Sequence, residues 1–357
     1  MLKVIHIVPT FELGGVQTGI VFSLMELRKE IDYKVLVVGK TDMNWMKTIP
    51  INIRENILTT GTNEWIAGSI KALRILRDTN PDIIINSLWK SVPTSIIYKA
   101  INPRVKLIAF HHTARFVHLA NYLSLKLLTL VCNQLIADSE ATSGYIKKIY
   151  SKKNVSVVPY YFPVKHQVYS GKNIHHGKIK IVYFGRFKPE KGISRSIRFC
   201  AKLKELGADF HFDLFGEGLE SRYQEEINKL NLSDRIHLRE LLSPVSVGEK
   251  MDEYDFLLQL SDHEGMAAAV VEAMGHGLVP IVTPVGEIAN YSRDGYNAIW
   301  LKDNFEDNLF SLAEKVIQVS KKPQLFRSLS ENASKTFDSK NSYIESLIGA
   351  IQSNFQK

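Results

Sequence analysis

An α/β protein of two Rossmann-like, doubly wound domains facing across a cleft is the architecture this sequence predicts. Three observations carry that reading. Short apolar strand patterns alternate with helical patterns along the first 160 residues; the polar stretch KHQVYSGKNIHHGK, 165–178, breaks the rhythm; and the same alternation restarts at Lys180. Strands that each lead into a helix pair in parallel and are covered by helices on both faces. A chain of 357 residues is long enough for two such domains.

The elements follow in order. Strands are expected at Lys3–Val8, Tyr33–Val38, Asp82–Asn86, Lys106–Phe110, Leu135–Ala137 and Ser156–Val158, with helices such as Gln17–Arg28 and Trp65–Asp78 between them. After the polar stretch, strands are expected at Lys180–Phe184, Phe210–Phe215, Ile236–Leu238, Phe256–Leu260 and Val279–Thr283. The implied division is a first domain over 1–165, a linker over 166–178, a second domain over 179–340 and a final helix within 341–357. Ligands of doubly wound sheets bind beyond the carboxyl ends of the strands.

Composition narrows the class. With 45% apolar and 23% charged residues, the chain reads as globular with a sizeable core. No apolar run approaches the ~20 residues of a membrane span. The start, MLKVIHIVPT, has too short an apolar part for a signal peptide and reads as a first core strand, which makes a cytoplasmic protein the expectation. Cys132 and Cys200 lie in apolar patterns without ligand spacing and read as reduced core residues. Residues 1–170 carry 21 Lys and Arg against 11 Asp and Glu, whereas 171–357 carry 24 against 26. That asymmetry suits an anionic partner for the first half, the alternative being a generally basic protein.

The strand ends hold the chemistry. The first strand leads into PTFELGGVQTG, where Gly14 and Gly15 precede a helix; a plain tight turn explains the pair as readily as close approach to a phosphate. It is not GxGxxG, and the second strand ends at Val38-Gly39-Lys40 without an acid for a ribose, which counts against a nicotinamide enzyme. The strand at 106–110 runs into His111-His112, and His111 is expected to face the cleft as a donor to a sugar hydroxyl or a phosphate, against a loop histidine without a role. His175 and His176 fall in the linker and are given none.

In FGRFKPEKGI, Arg186 and Lys191 stand five apart in a loop shaped by Gly185, Pro189 and Gly192. A guanidinium fork and a point charge before a helix make a diphosphate clamp; a solvated basic loop is the alternative. In SDHEGMAAAVVEAMGHG, Glu264 and Gly265 form a loop and a helix is expected from about Met266–Ala267 to Met274. The free amides of Gly265, Met266 and Ala267 would face a ligand. Glu272 then lies ~8–9 Å along the axis, the reach of a sugar diphosphate from hexose to ribose. A surface acid is the other reading of Glu272, but an acid within AVVEAMGHG is costly unless something pairs with it.

Taken together, FGRFKPEKG (184–192), SDHEGMAAAVVEAMGHGLVPIVT (261–283) and VGEIANYSRDGYNAI (285–299), with the Gly-Gly loop and His111 more loosely, resemble the retaining nucleotide-sugar glycosyltransferases of family 4, whose fold is GT-B. Met266-Ala267 stands where Phe/Tyr-Pro is usual, and Glu287 where a second glycine is usual. The resemblance implies that Arg186 and Lys191 bind the donor diphosphate, Glu272 the ribose, and Glu264 with Gly265, Met266 and Ala267 the sugar. It places Gly15 at the donor and His111 at the reacting face of its sugar, and takes the final helix back onto the first domain. It further implies hexosyl transfer with retention from a nucleotide-sugar, UDP first and GDP next, to a saccharide or lipid-linked saccharide, as in bacterial surface polysaccharide synthesis. The base would sit near Arg239–Leu242. The sequence contains no Asp-x-Asp, so no metal and no other cofactor is expected. Nucleic acid is not an expected partner.

Other readings remain at this point. A GT-B nucleotide-sugar epimerase or a phosphorylase shares the fold, the latter needing a pyridoxal lysine; a two-domain solute-binding protein needs an export signal; a non-catalytic GT-B scaffold needs none of the charged residues. Lys147, Lys148, Lys152 and Lys153 lie near YLSLKLLTLV, 122–131, a helix very apolar for one with a solvated face. Docking to an anionic membrane surface, as a peripheral protein, is one reading; packing of that helix inside the domain is the other.

Overall fold

The computed structural model describes residues 1–27, 31–113, 118–150, 154–161, 178–302, 308–338 and 341–354. They form two compact units, one of Met1–Tyr160 with Asn341–Lys357 and one of Tyr161–Lys340. The chain thus changes unit a few residues before the expected end of the first domain. Apart from Lys178, the expected linker lies outside the described residues.

The described residues of unit 1 form seven strands: β1 (Lys3–Val8), β2 (Asp32–Val37), β3 (Ile57–Thr59), β4 (Ile83–Ser87), β5 (Lys106–His111), β6 (Gln134–Ala137) and β7 (Ser156–Val157). All pair in parallel in the order β3-β2-β1-β4-β5-β6-β7. Every residue of β4 is buried, as expected of a strand covered on both faces. One helix layer packs Ala72, Leu76, Val92, Tyr98, Leu125, Leu128 and Ile146 against Leu36, Ile84, Leu107 and Ala109 of the sheet.

Unit 2 holds β8 (Ile179–Phe184), β9 (Phe210–Phe215), β10 (Ile236–Arg239), β11 (Phe256–Gln259), β12 (Val279–Val282) and β13 (Ile299–Trp300), also parallel, in the order β10-β9-β8-β11-β12-β13. Its core is rich in aromatics, with Phe199, Phe210, Phe212 and Phe256 fully buried beside the free thiol of Cys200. Strand order reverses between β8 and β11, so the loops after these two strands flank the switch point where doubly wound sheets take their ligands.

The Tyr343–Gln352 helix belongs to unit 1. It opens on a capping box in which Ser342 Oγ accepts from the Glu345 amide and Glu345 accepts from the Ser342 amide. The fully buried ring of Tyr343 lies 5.0 Å from that of Tyr160 and 6.4 Å from that of Phe110.

Candidate active site

The loop after β8 is shaped by its backbone. Pro189–Lys191 makes one 3-10 turn, and Gly192 takes φ +69 before the Ile193–Glu205 helix. A Cβ at Gly192 would stand 1.9 Å from the Leu260 carbonyl oxygen, so only glycine lets this loop lie against the end of β11. The turn carries Lys191 to Glu264: its Nζ donates to Oε1 at 2.8 Å and to Oε2 at 2.9 Å. Glu264 Oε1 also accepts from Gln259 Nε2 at 2.6 Å and Ser261 Oγ at 2.7 Å, which leaves Oε2 as the oxygen with spare acceptor capacity. Arg186 is half-buried and makes no side-chain hydrogen bond or ion pair with a described residue. Of the two cations on this loop, Lys191 is thus tied to a carboxylate and Arg186 is not.

The helix that follows runs Ala268–Gly275. Its N-cap, Ala267, sits in the left-handed region at φ 56 and ψ 63, and no side chain caps the end. None of the amides of residues 265–269 has an acceptor among the described residues. They form an electropositive arc beside the Lys191–Glu264 pair. Gly286, at φ +57, brings the PVGE turn onto this loop; a Cβ there would lie 2.0 Å from the Glu264 carbonyl oxygen, and the Glu287 amide donates to the Gly265 carbonyl at 3.0 Å. Glu287 is buried and accepts from Asn290, so a glutamate is accommodated where the family has a glycine.

Glu272 lies on this helix, half-buried, and its carboxylate makes neither hydrogen bond nor ion pair with a described residue. Burial pushes its pKa up from 4.5 to about 7. A carboxylate surrounded by protein atoms and lacking a donor is suited to hydroxyl groups of a ligand. Beyond the ends of β9 and β10 lies a cavity of about 560 Å³, lined by residues of 216–224 and 238–241.

Seven of the nine expected site residues, Arg186, Lys191, Glu264, Gly265, Met266, Ala267 and Glu272, thus gather on two loops and one helix of unit 2. Gly15 and His111 lie in unit 1. Gly15 is exposed and opens the Gly15–Glu26 helix after β1. His111 departs from expectation. Strand alternation turns it to the face of Leu107 and Ala109, where it is 2% exposed, packs on Tyr150 at 6.0 Å and leaves both ring nitrogens without hydrogen bonds. Burial, with the neighbouring His112, pulls its pKa down to about 4. It is a core imidazole in this structure and not the open donor expected at a strand end.

The neighbouring His112, to which no role is assigned from the sequence, joins a polar chain. His112 Nε2 is 2.8 Å from Ser87 Oγ; Ser87 Oγ is 2.7 Å from His6 Nε2; and His6 Nδ1 is 2.7 Å from the Tyr33 hydroxyl. Asp138 stands 3.5 Å from His112 Nδ1 at the other end. This buried polar chain spans three adjacent strands, β2, β1 and β4, and the residues that follow β5 and β6. Its signal was His6 within an otherwise apolar strand. Gln259, at the end of FLLQ, was likewise a legible polar residue in an apolar run, and it proves to hold Glu264.

Residues 167–336 match the family model described as glycosyl transferases group 1. An uncharacterized glycosyltransferase of Methanocaldococcus jannaschii is 30% identical over 210 residues, 58% of this chain and 56% of that protein. The GDP-mannose:cellobiosyl-diphosphopolyprenol alpha-mannosyltransferase of Xanthomonas oryzae is 25% identical over 185 residues, 51% of this chain and 48% of that one. The chain spans about half the length of the curated relatives it matches. Among solved structures, Anabaena HepE in complex with UDP and glucose superposes with a TM-score of 0.80 at 16% identity, over 99% of this chain and 100% of that one. Sucrose-phosphate synthase from Thermosynechococcus elongatus gives 0.78 at 14% identity, over 100% and 99%. Residues 167–336 thus match the glycosyl transferases group 1 model, and the chain as a whole shares the GT-B architecture of these solved structures.

Proposed function

We propose that the protein is a retaining, metal-independent glycosyltransferase of family 4, which moves a hexose from a nucleotide-sugar to a saccharide or lipid-linked saccharide in bacterial surface polysaccharide synthesis. The observation that carries this reading is the Lys191–Glu264 pair at the mouth of a helix whose first amides lack acceptors, with unpartnered Glu272 on the same helix. The donor diphosphate lies between Arg186, Lys191 and the amides of 265–267. As the bond from anomeric carbon to phosphate oxygen breaks, negative charge grows on the leaving diphosphate, and these groups stabilise that charge. Glu264 Oε2 accepts from a sugar hydroxyl, while its Oε1, saturated by three donors, is a poor nucleophile. Glu272 accepts from the ribose diol, and the base occupies the cavity at 238–241.

UDP is the first expectation for the base, supported by the UDP and UDP-glucose complexes of a structural neighbour; GDP is the second, supported by the GDP-mannose relative. Metal independence rests on the lack of an Asp-x-Asp and on the cations that take a metal's part. Measuring nucleoside diphosphate release across a panel of UDP- and GDP-sugars, with and without EDTA, tests the proposal. One donor should be turned over with the anomeric configuration kept, at a rate that EDTA leaves unchanged. Release from none of them, or an inverted product, overturns it.

We propose also that unit 1 docks on an anionic membrane surface. On the Leu119–Val131 helix, Leu125 and Leu128 face the core while Leu119, Leu123, Leu127 and Leu130 are 50–65% exposed. Adjacent helices add exposed Ile66, Ile70, Ile97 and Ile101. The four helices of this layer carry Lys71, Arg74, Arg77, Lys99, Lys126, Lys147 and Lys148 against Asp78 and Glu140; Lys152 and Lys153 lie outside the described residues. Apolar side chains among cations suit a leaflet of anionic lipid, each cation adding ~1 kcal/mol. No described helix is long and apolar enough to cross a membrane. Flotation with anionic vesicles should be strong at low salt and weakened by Leu123→Ser with Leu127→Ser; no flotation at low salt ends this part of the proposal.

A further inference from the structure

At one edge of the unit 2 sheet, β9 and β10 lie side by side, and His237 pairs in register with Asp213. His211 stands two residues before Asp213, so the pleat puts all three side chains on one face. His211 Nε2 is 2.7 Å from Asp213 Oδ2, and His237 Nδ1 is 3.8 Å from Oδ1. The two imidazole centroids are 4.8 Å apart. One ligand atom from each residue lies within 4.8 Å of the others. The Tyr254 hydroxyl donates to Asp213 Oδ2 at 2.7 Å, and Arg239 Nε to Oδ1 at 2.7 Å.

An ion-pair network accounts for Asp213, His211 and Arg239. It does not account for His237, whose Nδ1 is buried, makes no hydrogen bond and stops short of the carboxylate. We propose that His211, Asp213 and His237 form a binding site for a divalent transition-metal ion, Zn²⁺ above all. Two imidazoles and one carboxylate are a zinc ligand set with a fourth position open to water. Ligand atoms at ~2.0–2.2 Å from a tetrahedral ion stand ~3.3–3.6 Å from one another, so a spacing of up to 4.8 Å closes with shifts below about 1 Å in each of two side chains. Tyr254 orients the carboxylate from behind, as outer partners of metal ligands do.

Arg239 is the competitor. Its side chain is 46% exposed, with room to leave Asp213, and it also lines the 560 Å³ cavity. Zinc and Arg239 therefore exclude each other at Asp213, and a bound ion frees the guanidinium for the cavity. The inference stands apart from the transferase reading, since it concerns binding of the ion alone.

Titration of the purified full chain with Zn²⁺ against a chromophoric chelator tests it. One ion should bind per chain. His211→Gln and His237→Gln should each weaken binding by more than the roughly 10–100-fold that loss of an outer partner costs. Arg239→Ala should tighten it, and His175→Gln with His176→Gln should change nothing. Circular dichroism checks that each variant is folded, and Co²⁺ added to the wild type should give the absorption bands of a tetrahedral N/O site. Lack of saturable binding, equal affinity in the His211 or His237 variants, or an affinity unmoved by Arg239→Ala would each place the ion elsewhere and overturn the assignment.

Discussion

At the scale of single residues, the site divides charge unequally. Lys191 is anchored by Glu264 and Arg186 is not, so the two cations differ in what their loss does. Lys191→Ala and Arg186→Ala should each cost about 2–4 kcal/mol in turnover, by analogy with removal of a preorganised oxyanion donor. Lys191→Ala should in addition lower stability, because it leaves a nearly buried carboxylate without its cation. Glu264→Gln should abolish most turnover while free nucleoside diphosphate binds at least as tightly, because a negative charge beside the phosphates is gone; calorimetry showing weaker binding contradicts this. Glu272 adds a pH dependence. Burial holds its carboxyl pKa at about 7, and only the ionised form accepts from both hydroxyls of a diol at once, one at each oxygen. Nucleotide affinity should therefore fall as pH drops through 7, and Glu272→Gln should flatten the profile. Stability has the opposite sign. The folded carboxyl holds its proton more tightly than the unfolded one, so wild-type stability is lost as pH rises from 4.5 through about 7. Glu272→Gln escapes that loss, about 3 kcal/mol at most. Arg186, Lys191, Glu264 and Glu272 were legible because charge at a strand end or within an apolar helix is conspicuous. The burial of His111 was not, since the face a strand-end residue takes depends on pleat phase and on Tyr150, thirty-nine positions away.

At the scale of elements, the strands were readable from apolar runs, and boundaries moved by a residue or so: Phe256–Leu260 became Phe256–Gln259, and Lys106–Phe110 gained His111. β3 and β13, three and two residues long, gave no such run and exist because a neighbouring strand offers its edge. The helix at Ala268 begins later than expected because Ala267 is left-handed. A non-glycine residue there costs about 1–2 kcal/mol, partly offset in a glycine variant by the entropy of the unfolded chain. Ala267→Gly should thus raise the urea midpoint by about 0.5–1 kcal/mol equivalent at unchanged slope. A lowered midpoint would mean that the alanine methyl packs better than its backbone conformation suggests.

For the whole molecule, two series of strands were visible as two series, but the chain's return was carried by the last short helix alone. Its capping box, SYIE, could be read; the burial of Tyr343 beneath it could not, since its neighbours Phe110 and Tyr160 are nearly two hundred residues or more distant. Tyr343→Ala should destabilise unit 1 by about 3–5 kcal/mol, the range for a buried aromatic. Calorimetry should show that loss in unit 1, and a variant melting like the wild type refutes it. The placement of this helix also orders events during synthesis. Unit 2 is one uninterrupted stretch of chain, whereas unit 1 is completed by residues that follow it. On a translating ribosome, the strands of unit 1 emerge first, with the tyrosine, histidine and serine chain across them still lacking the Tyr343 ring, and they wait through the making of 180 further residues. The half made first is finished last, so a nascent chain stalled after unit 2 should expose in unit 1 the surface that a chaperone or a protease recognises.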